Sequence, residues 1–127
     1  MENKNKGVKH SNLKLPMSKL YIQFKDALQA VVLVSVFGHL KYKEHDEDWL
    51  NFKRVEGDRP YREAMHRHCL KTCPEEEETF LPPEFHIAWN ALADLQMLIE
   101  DNKIDMENLS SERLPEWLLN FNSKDYE

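Results

Sequence analysis

Three polar side chains fall in register along one stretch. His86, Asn90 and Asp94 stand at i, i+4 and i+8, a spacing that stacks them into one stripe on a helix. Beside them Phe85, Ala88, Trp89, Leu92, Leu95, Gln96 and Ile99 recur at three- and four-residue intervals and predict that helix's apolar face. Such a stripe either faces solvent or, at its seam with the core, points into a cavity. In the second case imidazole, amide and carboxylate suit Mn²⁺ or Mg²⁺. His68 brings a second imidazole, on the face Tyr61, Ala64, Met65, His68, Cys69, Thr72 of another helical segment. A core histidine bonded to a neighbour and a ligand or proton acceptor both remain open for it. Arg67 beside it has the fork that grips phosphate oxygens in pairs. The run Glu75–Glu78 joins the two segments, either as a solvated turn or as a source of carboxylate for metal or water. If the segments face each other, His68, Glu78, His86, Asn90 and Asp94 converge on one site.

Those residues need elements to hold them. Residues 1–16 are lysine-rich without apolar period and read as a flexible tail. Residues 17–122 read as a single domain and 123–127 as a second tail. From Lys19 the series Leu20, Phe24, Ala27, Leu28, Val31, Val34 keeps helical spacing. Val31–Val36 alone would pass for a buried strand, but the longer pattern predicts one central helix, apolar almost all round. A helix of that kind needs cover on every side, and two further long helices supply little, which predicts a homo-oligomer. Lys41–Pro60 reads as a charged loop pinned by Trp49 and Phe52. Pro60 opens the next helix, which runs to about Thr72, where Cys73-Pro74 ends it. Pro82-Pro83 opens the third, continuing to about Glu100. Asp101–Ser111 reads as linker, and Pro115–Phe121 as a short terminal helix with its apolar side on the body. The expected class is all-α: three main helices and a short C-terminal one.

The totals narrow the chemistry. With 127 residues and a formal charge of −6, the chain has room for one core and little affinity for a nucleic-acid polymer. Acidity does not stop it from taking a small polyphosphate, since a divalent ion can supply the positive charge. The two cysteines, Cys69 and Cys73, are i, i+4 and predict no structural disulfide. A zinc site would need a second Cys/His pair. The longest apolar run, Ala27–Phe37, is broken by Gln29 and Ser35 and is too short to span a bilayer. With no apolar leader at the start, the reading is cytoplasmic and away from membranes.

Five fragments carry a resemblance. They are Gly38-His39-Leu40-Lys41-Tyr42, Asp48-Trp49, Tyr61-Arg62-Glu63-Ala64-Met65-His66-Arg67-His68, Glu78-Thr79-Phe80-Leu81 and His86-Ile87-Ala88-Trp89-Asn90-Ala91-Leu92. In that order the chain resembles the small phage and bacterial dATP/dGTP diphosphohydrolases over about Leu15–Ile99. The resemblance implies an all-helical enzyme, acting in the host cytoplasm if phage-encoded. It would split a deoxypurine triphosphate to monophosphate and pyrophosphate with Mg²⁺ or Mn²⁺. Its implied parts are Glu78 and His68 for catalysis and His68, Glu78, His86 and Asp94 for metal. Lys41, Tyr42, Trp49, Arg67 and Asn90 would bind substrate.

The chain departs from the pattern in several places. Asp48 stands for Asn, Phe80 for a turn glycine, Pro82 and Pro83 for histidines, and the acidic turn is shorter. Phe80 predicts another path for that turn. These departures motivate an alternative, a protein that sequesters a nucleotide without cutting it. A helical protein-interaction module is the second alternative. It would show a closed apolar space between the second and third helices and histidines bonded to backbone.

Overall fold

The computed structural model describes residues 15–71, 75, 76 and 78–122. Among these residues the chain is all-helical with no strand. Helix α1 spans Met17–Gln23 and α2 Lys25–Lys41; a turn of 3-10 helix follows at Asn51–Arg54; then come α3 Pro60–Cys69, α4 Pro83–Asp101 and α5 Met106–Asn120. Among the described residues the backbone gathers into two units, Lys19–Lys103 and a second that holds residues 15–18 and 104–122. No single helix is long and apolar enough to cross a membrane.

The apolar run does form a helix: α2 carries Val31–Val36 and passes through Gly38 to Lys41. Its start differs from expectation. Phe24 leaves the helical region (φ −131, ψ 37) and the axis turns by 100° between α1 and α2. Asp26 then sits in the first turn of α2, where a carboxylate meets the positive end of the helix dipole. Helix α3 starts at Pro60, in the first-turn position that needs no N–H donor. It ends at Cys69, before Thr72. Cys73-Pro74, expected to terminate it, lie outside the described residues, as does Glu77 of the acidic turn. Cys69 is an exposed free thiol.

In the second unit, half of the expected linker is helix. Asp105 caps α5 by accepting from the backbone N–H of Asn108 at 3.2 Å and from its side-chain amide at 2.7 Å. The helix therefore starts at Met106, and Pro115, expected at its opening, lies inside it. Ser110 and Ser111 return their hydroxyls to the carbonyls of Met106 and Glu107, so polar residues do not interrupt it. Asp105→Ala is expected to cost α5 about 1 kcal/mol, read as reduced helical circular dichroism with the α2–α4 unit unchanged.

In the first unit α4 is the common partner, packed on both α2 and α3. At the junction Phe52, Tyr61 and Trp89 meet edge to face, with ring centroids 5.6–6.1 Å apart. Two hydrogen bonds lock this trio. Trp89 Nε1 donates to Ser35 Oγ at 2.7 Å, and the Tyr61 hydroxyl donates to the Phe52 carbonyl at 2.6 Å. Burial first, and Tyr42 second, push the Tyr61 phenol up to about 12. It therefore stays a donor throughout the working range. Tyr61→Phe is expected to lower stability by about 1 kcal/mol through that lost bond, visible as a lower urea midpoint.

The rotation of α4 divides both faces read from the sequence. Asn90 and Ala93 are buried, whereas Leu92 and Leu95 are half exposed. The polar stripe faces inward because its partners lie there: the His68 ring beside His86, and the Arg59 guanidinium beside Asp94. Lys53 pairs with Glu100 one and a half turns further on, at 2.8 Å. Of the apolar face, Leu92 and Leu95 are left outward while Trp89 packs inward. Val34 and Ala93 are the buried hydrophobic residues among those described, and no large side chain is fully enclosed.

Candidate active site

The site is assembled from the facing ends of α3 and α4 and the turn between them. Glu76 organises that turn: its N–H donates to the Leu81 carbonyl at 2.7 Å, and its carbonyl accepts from Phe80 at 2.8 Å. Phe80 closes the turn at φ 60. The substitution for glycine was expected to reroute the chain. Instead phenylalanine takes a left-handed conformation that glycine enters freely, at a cost of order 1–2 kcal/mol. The turn delivers the buried carboxylate of Glu76 to His68, whose Nδ1–H donates to Oε1 at 2.6 Å. Lys71 Nζ lies 3.6 Å from the other oxygen. His68 stacks on His86, with centroids 4.9 Å apart and planes at 17°.

The electrostatics follow from this packing. Burial pushes the Glu76 carboxyl up, but the His68 hydrogen bond and the charges of His68, Lys71 and His86 outweigh it, leaving the group below the usual glutamate value. Glu76 is thus ionised at neutral pH and holds the His68 ring with Nδ1–H toward the carboxylate. Thr79 Oγ accepts from the Leu81 N–H at 3.3 Å and shares a hydrogen bond with His86 Nε2 at 2.7 Å. Burial and then the nearby His68 lower His86 below 6.5, against opposing pulls from Glu76 and Glu78. As pH falls through about 6.5, the unfolded chain takes up a proton that folded His86 still refuses. Stability is therefore expected to decline through that range until the folded ring also titrates. His86→Gln should flatten the slope, measured as the urea midpoint between about pH 7 and pH 5.

A cavity of about 530 Å³ opens here, lined by Lys41, His68, Glu76, Glu78, His86 and Asn90, with the apolar wall of α2 opposite. Lys41 Nζ pairs with Glu78 Oε1 at 2.8 Å, and that hydrogen bond raises the lysine. Asn90 is 6% exposed and donates its amide N–H to the His86 carbonyl at 2.8 Å. Its side-chain oxygen has no hydrogen-bond partner among the described residues.

Five residues singled out in the sequence thus share this cavity: Lys41, His68, Glu78, His86 and Asn90. Others lie elsewhere. Asp94 is held bidentately by Arg59, at 2.6 and 3.1 Å, and that pairing lowers its carboxyl. It lines a separate cavity together with Arg59. Arg67 is exposed on α3 and does not line the His68 cavity. Tyr42 and Trp49 line a neighbouring cavity. Glu76 and Thr79 were not singled out, since an acidic run does not reveal which member turns inward. Nor was Asp46, buried within another charged run.

Each of the candidate metal ligands on α3, α4 and the turn already has a side-chain partner. His68 is engaged by Glu76, His86 by Thr79, Glu78 by Lys41 and Asp94 by Arg59. Among the described residues no three His, Cys, Asp or Glu side chains come together as a set that could hold one. The arrangement offers instead a carboxylate-fixed imidazole, a cation and a buried amide oxygen around open space. That combination can bind a phosphate chain and accept a proton from water.

No curated protein and no solved structure matches the chain. A family model described as dATP/dGTP diphosphohydrolase, N-terminal, matches residues 4–107, across α1–α4 and every residue of the cavity. The chain belongs to the family of dATP/dGTP diphosphohydrolase N-terminal domains.

Proposed function

We propose that this cavity hydrolyses a purine deoxynucleoside triphosphate to the monophosphate and pyrophosphate, in the cytoplasm. One observation carries the reading: the buried, ionised Glu76 holds His68 at 2.6 Å on the wall of a cavity that also holds Lys41. Water attacks the α-phosphorus and gives its proton to His68 Nε2. The bond to the α–β bridging oxygen breaks, and pyrophosphate leaves. Glu76 stabilises the imidazolium that forms, the role a carboxylate has in any carboxylate–histidine pair. Lys41, released from Glu78, meets the phosphate oxygens. A divalent ion would neutralise charge on the triphosphate, and Glu78 would be the carboxylate in this cavity to hold it. Arg67 and Asp94 lie outside this cavity and have no part in the step.

Two features support an enzyme over an interaction module. An open cavity with polar side chains on one wall lies between α2 and the facing ends of α3 and α4, and His68 and His86 bond side chains rather than backbone. The test is chromatography of products from each deoxynucleoside and ribonucleoside triphosphate with Mg²⁺ or Mn²⁺. Monophosphate accumulating over many turnovers supports the reading. Retention of intact nucleotide in a fixed ratio would establish the sequestering protein instead.

We also propose self-association. Leu33, Phe37 and Leu40 form an exposed stripe on α2, and a chain with so few buried apolar residues gains its missing core from a second copy. Light scattering is expected to give a multiple of 15.1 kDa, and Phe37→Glu is expected to return it to one.

A further inference from the structure

Asp94 keeps the register of the stripe and takes no part in the hydrolytic step, yet the chain holds it with unusual care. Its partner Arg59 is the N-cap of α3 and stands at φ 51, a left-handed conformation uncommon for a residue other than glycine. No local contact accounts for that backbone, since the Arg59 side chain makes no capping bond to its own helix. The guanidinium crosses to α4 instead, where Nε and Nη2 donate to the two oxygens of Asp94 at 3.1 and 2.6 Å. The Asp94 side chain is only 15% exposed, so water and salt screen this pair less than they screen an ordinary surface pair.

What the pair does follows from how α3 is held. No residue of α3 is fully buried, so apolar packing alone does not fix its tilt or its rotation. Yet α3 carries His68, whose placement against Glu76 decides the chemistry. Three cross-links tie it to α4: His68 on His86 at one end, Tyr61 against Trp89 farther along, and Arg59 on Asp94 at the other end. Numbers rise along α3 as they fall along α4, so the helices run antiparallel and the contacts are rungs of one ladder. Stacked rings slide and tilt over each other readily. A planar guanidinium with two bonds to one carboxylate fixes distance and orientation together. Asp94 lies eight residues beyond His86, roughly 12 Å along α4, so a tilt of α3 at Arg59 becomes a displacement at His68.

We infer that Arg59 and Asp94 are positioning residues, whose two-point clamp sets the tilt and rotation of α3 and, through it, the bond from His68 Nδ1–H to Glu76. The inference rests on the hydrolase reading only for what His68 then does. Neither residue lines the His68 cavity, so loss of the clamp leaves the groups that meet substrate in place. The cost falls on kcat at nearly constant KM, because a misplacement of about 1 Å slows a positioned reaction on the order of 100-fold. A contact that served the fold alone would change stability and leave the kcat of the folded protein as it was.

The test has two readouts, both taken on protein that circular dichroism shows to be fully folded. One is kcat and KM for the triphosphate that wild type cleaves. The other needs no substrate: the proton resonance of His68 Nδ1–H, identified by its absence from His68→Gln, and its rate of exchange with water. Asp94→Asn removes the charge and one accepting oxygen. Arg59→Lys keeps the charge but offers a point donor in place of a fork, and it disturbs the fold least. Each is expected to lower kcat by about 10–100-fold with KM within about twofold, and to speed exchange of the His68 proton by about tenfold. The double variant should be no worse than either single one, since both remove the same interaction. Folded Arg59→Lys with wild-type kcat and an unmoved His68 proton would overturn the inference. So would a loss confined to KM, or a fall in kcat with His68 exchange unchanged. A wild type without that resonance lacks the contact the clamp sets, which also overturns it. If His68→Gln abolishes cleavage while both clamp variants cleave normally, the hydrolase reading stands and the clamp fails. If wild type cleaves no triphosphate, the hydrolase reading fails, and the exchange rate alone decides the clamp: faster in the variants supports it, unchanged overturns it.

Discussion

Glu76→Gln and His68→Gln are each expected to lower kcat by about 10²–10⁴-fold, the range lost when a positioned proton acceptor is removed. The two should be strongly non-additive, because they act as one unit. Glutamine at 76 can still hydrogen-bond His68 Nδ1, but it brings no negative charge, so the imidazolium formed during attack loses its counter-charge. KM should move less than kcat, since neither residue is assigned to hold substrate before the water moves. Glu76→Gln also has a stability signature with a definite sign. Glu76 lies below its usual value, so its pairing stabilises the fold above about pH 4.5 and fades as pH falls through the folded value. The variant should therefore be less stable than wild type at neutral pH, with the difference closing in acid. Urea midpoints across that range measure it. Equal kcat in wild type and Glu76→Gln would remove Glu76 from the mechanism.

Trp89→Ala is expected to cause the largest loss of stability, about 3 kcal/mol, the low end for a tryptophan truncation because the ring is only half buried. Trp89 touches both Phe52 and Tyr61 edge to face and ties α4 to α2 through Ser35. Its removal leaves a void that the two remaining rings cannot close without breaking the Tyr61 bond to Phe52. Ser35→Ala should cost far less, about 1 kcal/mol, so comparing the two separates ring packing from the hydrogen bond. Chemical denaturation followed by far-ultraviolet circular dichroism is the measurement, because removing the tryptophan alters the fluorescence probe.

Much of the architecture was legible because helical periodicity is a local property. The length of the pattern around Val31–Val36 decided helix over strand, and prolines at 60 and 83 marked where α3 and α4 begin. The departure of Asp94 from the His68 cavity was not legible. What holds Asp94 is Arg59, 35 residues away, and the spacing within one helix carries no record of it. The same limit separates the site residues. Lys41, His68, Glu78, His86 and Asn90 were picked out by type and order and do share a cavity. Asp94 kept the register of the stripe, but its partner directs it elsewhere. Glu76 was hidden among identical neighbours because only the turn closed by Phe80 distinguishes it. The break at Phe24 and the early start of α5 depend on backbone geometry and one aspartate cap, signals too small to outweigh the surrounding pattern.

Trp49, Arg59, Phe80 and Lys103 all adopt positive φ without being glycine, in a sequence with only three glycines. A loop glycine would enlarge the unfolded ensemble; these side chains keep it smaller, at the expense of local strain in the folded state. Three of the four positions adjoin functional or clamping contacts: Trp49 on His39, Arg59 on Asp94, Phe80 beside Glu76. Lys103, following the end of α4, has only the backbone of that last turn to hold it, its N–H donating to the Glu100 carbonyl. The strain is therefore divided between positions where selection for function can maintain it and one where nothing does. In an evolving or engineered lineage, Lys103→Gly is the substitution that gains robustness without touching the His68 cavity.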